Sequence, residues 1–284
     1  MHKLVKYCLG LALAMTASTI YAEDDSTLQP LKIGVVPYLS ARALVTSYEP
    51  MRLYLEQAMG RPVKIYTAAG FKPFFLNAIQ GDYDLVITAA HFARILQKEH
   101  KFKPLVKFSP GVHSLLMTKL DSSLKTPQEL KGQVIAVPDQ LALSSIVSMA
   151  WLRENGMKPE TDYRILEVPS FPSALLAVQK GDAMAAVSAT PVLSQIPKEL
   201  RESLRTLVDA GEYLQFIFLT HPRMGVTASN RISKELLNFS NESNEGKQFF
   251  SSTGFGAITP LSPKDMNSLD RYISETKRLL SATP

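Results

Sequence analysis

The chain has 284 residues, of which 45% are hydrophobic and 20% are charged. This is enough length for two lobes of ordinary domain size, each with its own apolar core. The formal net charge is +5, but the basic residues are scattered among acidic ones, with no run of lysine or arginine. Composition therefore disfavours a nucleic-acid-binding protein, and its mild positive balance suits an anionic small molecule.

The N-terminus has the layout of a secretory signal. Lys3 and Lys6 precede the apolar run Tyr7–Ala17, and small or polar residues lead to Ala22. The apolar stretch of about 11 to 14 residues is shorter than the roughly 20 that a membrane-spanning helix needs. We therefore predict cleavage after Ala22 and export, with residues 1–22 as the signal peptide. The only cysteine, Cys8, lies inside this signal, so the exported protein has a core without disulfides.

Strand and helix patterns alternate along the rest of the chain. Short apolar runs predict buried strands, and segments with helical spacing end repeatedly at glycine. The predicted strands are Leu31–Val36, Val63–Thr67, Leu85–Thr88, Leu105–Phe108, Leu115–Lys119, Val134–Val137, Tyr163–Val168, Met184–Ser188, Leu204–Val208 and Leu214–Leu219. The predicted helices are Tyr48–Met59, Phe71–Gln80, His91–Glu99, Ser144–Asn155, Ser173–Lys180, Ser233–Phe239, Lys247–Ser251 and Lys264–Leu280, with a short helical turn at Thr126–Leu130. Such alternation indicates mostly parallel sheets covered by helices on both faces.

Two stretches of the chain repeat the same order of predicted elements. Residues 60–88 and 156–188 each contain a strand, a helix that ends at a Gly-Asp pair, and a second strand. The pairs are Gly81-Asp82 and Gly181-Asp182. One such pair is a common helix-ending turn, but two at matching points of two α/β segments predict two similar lobes.

Several segments together resemble one known family. These are Leu31-Lys32-Ile33-Gly34-Val35-Val36-Pro37, Leu55-Glu56-Gln57-Ala58-Met59-Gly60-Arg61-Pro62-Val63, Ile79-Gln80-Gly81-Asp82-Tyr83-Asp84-Leu85, Thr126-Pro127-Gln128-Glu129-Leu130-Lys131-Gly132-Gln133-Val134-Ile135-Ala136-Val137 and Ala174–Ala186. Their order and spacing over residues 31–280 resemble the periplasmic substrate-binding proteins of phosphate, phosphite and phosphonate ABC transporters.

The resemblance implies an α/β, type II periplasmic binding protein fold. Each lobe would be a mixed sheet flanked by helices, and two crossover strands would join the lobes. The first lobe would comprise residues 31–115 and 220–284, and the second residues 116–219. The ligand would lie in the cleft, where the carboxyl ends of the strands of open α/β sheets meet.

Three residues of the first lobe are candidates for ligand contacts. Tyr38 follows the first strand and could cover the cleft with its ring or be an ordinary turn residue. Phe71 stands where the family commonly has a tyrosine, so it predicts an apolar wall. His91 follows the third strand, where it could donate to an anion or titrate near neutrality, although a lone histidine is more often structural.

The second lobe offers five further candidates. In the family, hydroxyl-rich residues at the start of a long helix hold the phosphonate oxygens, and here Ser144 and Ser145 occupy that place. They are preceded by Ala142 and Leu143, where hydroxyls would be expected. Ser144 could equally be a helix cap. Ser188 and Thr190 stand where aminophosphonate and phosphite binders have an acidic residue, and Ser170 has positional support alone.

The predicted function is that of a periplasmic solute-binding protein of an ABC transporter, which closes by a hinge on a small, phosphate- or phosphonate-like ligand and partners with a membrane permease. An alternative is a ligand sensor whose closed state is read by a separate membrane receptor. An enzyme is disfavoured, because the sequence lacks a metalloprotease motif, a CxxC pair and a glycine-rich phosphate loop. Its five histidines show no metal-ligand spacing. No cofactor and no metal are predicted.

Overall fold

The computed structural model describes residues 29–159 and 161–282. The predicted signal peptide, residues 1–22, lies outside the described residues. The strands within them are β1 (Leu31–Val35), β2 (Val63–Tyr66), β3 (Leu85–Thr88), β4 (Lys103–Ser109), β5 (Val112–Lys119), β6 (Val134–Val137), β7 (Arg164–Glu167), β8 (Ala185–Ala189), β9 (Leu204–Tyr213), β10 (Ile217–Thr220) and β11 (Ala257–Pro260).

Helices cover the strands on both sides. They are α1 (Ala41–Met59), α2 (Phe71–Gln80), α3 (Ala90–His100), α4 (Leu143–Glu154), α5 (Phe171–Lys180), α6 (Thr190–Gln195), α7 (Lys198–Glu202), α8 (Gly225–Glu242), α9 (Asn244–Thr253), α10 (Pro263–Ser268) and α11 (Ile273–Ala282). Short 3₁₀ turns lie at Pro127–Leu130, Pro222–Met224 and Leu269–Tyr272. None of the helices in residues 29–159 and 161–282 is long and apolar enough to span a membrane.

The strands form two mixed sheets with related layouts. The six-stranded sheet has the order β11-β4-β10-β3-β1-β2, and the five-stranded sheet has the order β7-β6-β8-β5-β9. In the first sheet β1 pairs in parallel with β2 and β3, and in the second sheet β6 pairs in parallel with β7 and β8. The remaining pairs are antiparallel. The two-lobed fold with mixed sheets that the resemblance implies is thus confirmed. The mostly parallel sheets indicated by the alternation of strands and helices are wrong, because β4, β5, β9, β10 and β11 pair antiparallel.

Two short passages join the sheets. The chain leaves the first sheet after Ser109, enters the second at Val112, and returns between Tyr213 and Ile217. We call residues 29–109 and 217–282 the first lobe, and residues 112–213 the second lobe. Residues 112–115 pair with β9, and residues 217–219 pair with β3. The predicted domain bounds, at 115/116 and 219/220, stay a prediction.

Some elements differ from the sequence prediction. The segment predicted as one helix at Lys264–Leu280 consists of α10, a 3₁₀ turn and α11. The predicted strand at Leu214–Leu219 is a strand only from Ile217, because the residues before it form the passage between the lobes. Strand β11 and helices α6 and α7, each of six residues or fewer, have no predicted counterpart.

The core of each lobe is built from its sheet and the covering helices. Strand β3 is buried along its whole length between β1 and β10, which explains its uninterrupted apolar sequence. Helix α1 begins earlier than predicted, because the Ser40 side chain caps it by accepting a hydrogen bond from Ala43 N (3.3 Å). In both sheets the parallel strands end at the edge that faces the other lobe, so the loops after them meet there.

Candidate functional site

A narrow cavity lies between the two lobes, where the loops after the parallel strands meet. Its volume is about 40 Å³, which is room for about three water molecules. Both lobes and the second passage contribute its walls, which are lined by Tyr38, Phe71, Ala89, Ala90, Val112, Ala142, Leu143, Ser144, Phe171, Ala189, Pro191, Val192, Tyr213, Leu214, Gln215, Phe216 and Phe255. None of these residues is acidic or basic.

Aromatic rings form much of the wall. Phe71 opens α2 in the first lobe, and Phe171 opens α5 in the second, so two equivalent positions face the cavity from opposite sides. The Tyr38 ring lies 5.0 Å from that of Phe216 and 6.1 Å from that of Phe255, measured between centroids. Aromatic side chains of both lobes and of the second passage thus share the cavity wall with Phe71.

Helix α4 presents an uncapped N-terminus to this cavity. Its N-cap residue is Ala142, which has no side-chain oxygen to satisfy the first N–H groups of the helix. The hydroxyl of Ser145 is buried without a hydrogen-bond partner among the described residues. That of Ser144 lies near the Tyr213 hydroxyl, in a geometry too poor for a full hydrogen bond. Donors are therefore concentrated at one end of the cavity.

His91 is fully buried and connects the two lobes. Its Nε2 lies 3.0 Å from the carbonyl oxygen of Leu141 in the second lobe, and a carbonyl oxygen can only accept, so Nε2 carries the proton. Burial lowers the pKa of His91 to about 3, although the contact with Leu141 opposes that shift. The imidazole is therefore neutral near neutral pH, and its N–H is already used across the cleft. Its titration near neutrality, one of the possibilities raised by the sequence, does not occur in this environment.

The Tyr38 hydroxyl is also used between the lobes. It donates to Oε1 of Gln195 (3.3 Å), and burial raises the pKa of Tyr38, so the hydroxyl keeps its proton. Its ring lines the cavity, while its hydroxyl points to the other lobe. That the ring covers a ligand stays a prediction.

Five of the predicted residues do not line the cavity, namely His91, Ser145, Ser170, Thr190 and Ser188. Ser170 caps α5 through its hydroxyl, which accepts from Ser173 N (3.3 Å), and it lies in an outer groove between the lobes. The hydroxyl of Thr190 accepts from His113 N (3.3 Å). Ser188 is fully buried in β8 with an unpartnered hydroxyl, one residue before the cavity wall. Tyr38, Phe71 and Ser144 are the predicted residues that line the cavity itself.

Gln215 is the polar residue of the wall that the sequence gave no reason to expect. It lies on the second passage between the lobes and is 4% exposed, and its Oε1 has no hydrogen-bond partner among the described residues. A buried amide oxygen without a donor is costly, so this atom is suited to a donor from a ligand.

A metal site has no support in the part of the chain that the structure describes. There, no three histidine, cysteine or acidic side chains come together in a way that could hold an ion. What the cavity offers is helix N–H groups and hydroxyls at one end, aromatic walls, and one amide oxygen.

Known structures share this architecture at low sequence identity. PhnD1 from Prochlorococcus marinus, in complex with methylphosphonate, superposes with a TM-score of 0.77 and 14% identity over 89% of this chain and 98% of that chain. A binding protein component of an ABC phosphonate transporter from Pseudomonas aeruginosa gives a TM-score of 0.76 and 16% identity, with 90% of each chain covered. The periplasmic aliphatic sulphonate binding protein SsuA from Escherichia coli gives 0.59 and 17%, covering 88% of this chain and 87% of that one. These likenesses show that the fold is that of type II periplasmic binding proteins.

The family itself is shown by the sequence match. Residues 33–266 match the model of a family described as "ABC transporter, phosphonate, periplasmic substrate-binding protein". This span covers both lobes and both passages between them. The chain belongs to this family of periplasmic substrate-binding proteins of ABC transporters.

Proposed function

We propose that this protein binds a small oxyanion in the cavity between its lobes, holds the oxygens at the N-terminus of α4, and delivers the ligand to a permease in the closed state. One observation carries the proposal. The uncapped start of α4 borders the cavity, and the buried Ser145 hydroxyl beside it has no partner among the described residues. These groups are donors, so the ligand atoms that satisfy them are acceptors.

An anion can bind here without a lysine or arginine. The first N–H groups of a helix have no partner within the helix, and the helix dipole places partial positive charge at the same end. Both effects favour negatively charged oxygen atoms, and phosphate-like groups commonly bind at helix N-termini. Helix α4, with twelve residues, is long enough to provide this field.

The remaining walls restrict the rest of the ligand. Aromatic and aliphatic side chains face the other end of the cavity, and they suit a small apolar substituent such as a methyl group. A ligand amine could donate to the Gln215 amide oxygen, but a neutral amide does not offset the positive charge of the amine, and no acidic residue lines the cavity wall. A phosphonate or similar oxyanion without an amine therefore fits better than an aminophosphonate.

Closure of the lobes gives the binding its transport role. A ligand that contacts Ser144 in the second lobe and Phe71 in the first makes its full set of contacts only when the lobes are together. It therefore stabilises the closed state relative to the open one, by the difference in its affinity for the two. The two passages at 110–111 and 214–216 are the segments that would absorb this motion.

The test is a calorimetric and thermal-shift screen of the exported protein against methylphosphonate, phosphite, phosphate, 2-aminoethylphosphonate, methanesulfonate and acetate. We expect methylphosphonate to bind more tightly than 2-aminoethylphosphonate and to raise the unfolding midpoint. If none of these anions binds, the proposal is wrong.

A double variant then locates the site. Ser144→Ala with Ser145→Ala removes two hydroxyl donors, and we expect affinity for the best-binding anion to fall by about 10- to 100-fold. Ser170→Ala is the matched control, because that hydroxyl caps α5 outside the cavity and its loss should leave affinity unchanged. Unchanged affinity of the double variant would remove the start of α4 from the site.

A further inference from the structure

Gln195 makes hydrogen bonds across the gap between the lobes with both ends of its amide. It is the last residue of α6 in the second lobe. Its Oε1 accepts from the Tyr38 hydroxyl (3.3 Å), and its Nε2 donates to the carbonyl oxygen of Thr253 (2.7 Å). Tyr38 and Thr253 both belong to the first lobe, where Thr253 ends α9. Nε2 also lies 3.2 Å from the carbonyl oxygen of Pro191 in its own helix, which fixes the orientation of the amide.

Beside Thr253 the two lobes approach each other so closely that the next residue, Gly254, has no room for a side chain. Gly254 follows α9 with φ of +70°, a left-handed conformation that favours glycine. A Cβ atom placed there would lie 2.7 Å from Oγ and 2.8 Å from Cβ of Ser194, which precedes Gln195. Helices α6 and α9 therefore meet at a separation that glycine alone permits.

Both sides of this contact continue directly into the cavity wall. In the second lobe, Pro191 and Val192 of α6 line the cavity, and in the first lobe Tyr38 and Phe255 do so. The distance between α6 and α9 thus sets the distance between opposite walls of the cavity. A change in that distance changes the room available for a ligand.

We propose that Gln195, Tyr38, Thr253 and Gly254 form an interlobe clasp that fixes the spacing of the closed lobes and thereby limits the size of the ligand. Gln195 is a positioning residue, because it acts through Tyr38 and α9 and does not itself line the cavity. The clasp also explains why the Tyr38 hydroxyl is directed away from the ligand. Its effect on ligand size rests on the proposed function, whereas its effect on lobe spacing does not.

Lobe spacing can be measured by the distance between two spin labels. Lys64 in β2 and Lys180 in α5 are exposed and lie in different lobes, so each is replaced by cysteine. The full chain carries Cys8→Ser in addition, because Cys8 is its only cysteine. Pulsed electron paramagnetic resonance then gives the populations of short and long distances, with and without methylphosphonate.

Gln195→Leu removes the amide while keeping most of its volume. We expect the ratio of closed to open protein to fall about tenfold, which corresponds to about 1.4 kcal/mol. Gln179→Leu is the matched control, because that helical glutamine of the second lobe donates to Ser203 within the same lobe (3.5 Å). The clasp is refuted if the Gln195→Leu and Gln179→Leu proteins give the same distance distribution.

Gly254→Ala tests the clasp from the other lobe. The added methyl group would meet Ser194, so we expect the lobes to separate. Gly60→Ala is its control, because Gly60 ends α1 with φ of +64° and a Cβ there has nothing within 4 Å. Both variants carry the same kind of backbone strain, and only Gly254→Ala should lengthen the distance. Equal distributions in these two proteins would also contradict the clasp.

Ligand size provides the functional readout. We expect wild-type protein to prefer methylphosphonate to phenylphosphonate, and Gln195→Leu to reduce that preference about tenfold by calorimetry. An unchanged preference, together with unchanged lobe spacing, would overturn the proposal. If wild type binds neither compound but Gln195→Leu still lengthens the label distance, the proposed function fails for this ligand class while the clasp stands.

Discussion

The buried polar groups near the cavity serve two different purposes. The Nε2–H of His91 and the hydroxyl of Tyr38 donate hydrogen bonds to atoms of the opposite lobe, so they hold the lobes together. The atoms Ser145 Oγ, Gln215 Oε1 and His91 Nδ1, by contrast, are buried without a partner among the described residues. Since a buried polar atom without a partner is costly, the second group marks the atoms that a ligand would satisfy. Residue type alone does not distinguish the two purposes.

The neutral state of His91 has a consequence for stability against pH. Burial lowers the pKa of His91 in the folded protein to about 3 from its ordinary value of 6.5, so between these values the unfolded chain binds a proton that the folded protein does not. The stabilisation that the neutral His91 gives to the folded protein is therefore complete above pH 6.5, and it is lost as the pH falls toward 3. We expect the stability advantage of wild type over His91→Gln, measured by urea unfolding, to shrink by about 2 kcal/mol from pH 7 to pH 5.

His113 supplies the control for this measurement. It is exposed and interacts with the carboxylate of Asp209 at 2.8 Å, outside the cavity. The His113→Gln protein should lose stability on acidification as wild type does. The His91→Gln protein should not show this loss. A wild type and a His91→Gln protein with parallel pH profiles would show that the imidazole is not held neutral in the folded protein.

Some cavity residues could be predicted from the sequence, and others could not. Tyr38 directly follows a buried strand, so the rule that ligands bind at strand ends identified it. Phe71 and Ser144, at the starts of two helices, were identified by the resemblance to the family. Gln195, Gln215 and Phe255 reach the site or its rim from elsewhere in the chain. Their positions depend on how the second passage and α9 fold back, which is a non-local property without a local sequence pattern.

Helices α2 and α5 are counterparts that begin differently. Each has ten residues, starts at a phenylalanine of the cavity wall and ends at a left-handed glycine, Gly81 or Gly181. Helix α5 is capped by Ser170 of its own lobe, whereas α2 is preceded by Gly70, which has no side chain. In its place the carboxylate of Asp139 reaches α2 from the second lobe.

Asp139 is therefore expected to cap α2 across the cleft. Its Oδ2 accepts from Phe71 N (3.3 Å), while its Oδ1 accepts from Leu141 N in its own lobe (2.7 Å). We expect Asp139→Ala to lower stability by about 1 kcal/mol and to speed hydrogen exchange of the Phe71 amide, with Asp139→Asn in between.

Ser170→Ala provides the comparison for the cap across the cleft. It removes the cap of α5 within one lobe and should speed exchange at Ser173 while leaving Phe71 unchanged. An Asp139→Ala protein whose Phe71 amide exchanges at the wild-type rate would show that this carboxylate does not cap α2 in solution.

Elements with strong local signals were predicted closely. Helix α2 and strands β3 and β6 have the predicted bounds, because apolar runs and terminal glycines define them locally. The break between α10 and α11 was not predicted, since the 3₁₀ turn at Leu269–Tyr272 keeps nearly the same apolar spacing. Strand β11 is four residues long and gains its identity from pairing with β4, which the sequence does not reveal.

At the scale of the whole molecule, the lobes meet on more than one side of the cavity. The clasp joins them at α6 and α9, and a second contact lies between α4 and the C-terminal helix. There Arg153 of the second lobe lies 3.9 Å from the Glu275 carboxylate of the first. This pair is partly exposed, so its own contribution to closure is small. The pair instead identifies two surfaces, on α4 and α11, that approach one another in the closed arrangement.

Trp151 lies in this second contact and is the only tryptophan of the chain. The groove around it is formed by α4 together with Arg271, Tyr272 and Glu275 of the first lobe. Separation of the lobes would move these residues away from α4 and open the groove beside the indole to solvent. We therefore expect methylphosphonate to reduce quenching of the tryptophan fluorescence by acrylamide, with a midpoint that matches the affinity from calorimetry. The Gln195→Leu protein, whose closed state is weakened, should be quenched more than wild type before ligand is added. Calorimetric binding without any change in quenching would show that the ligand binds without moving the lobes.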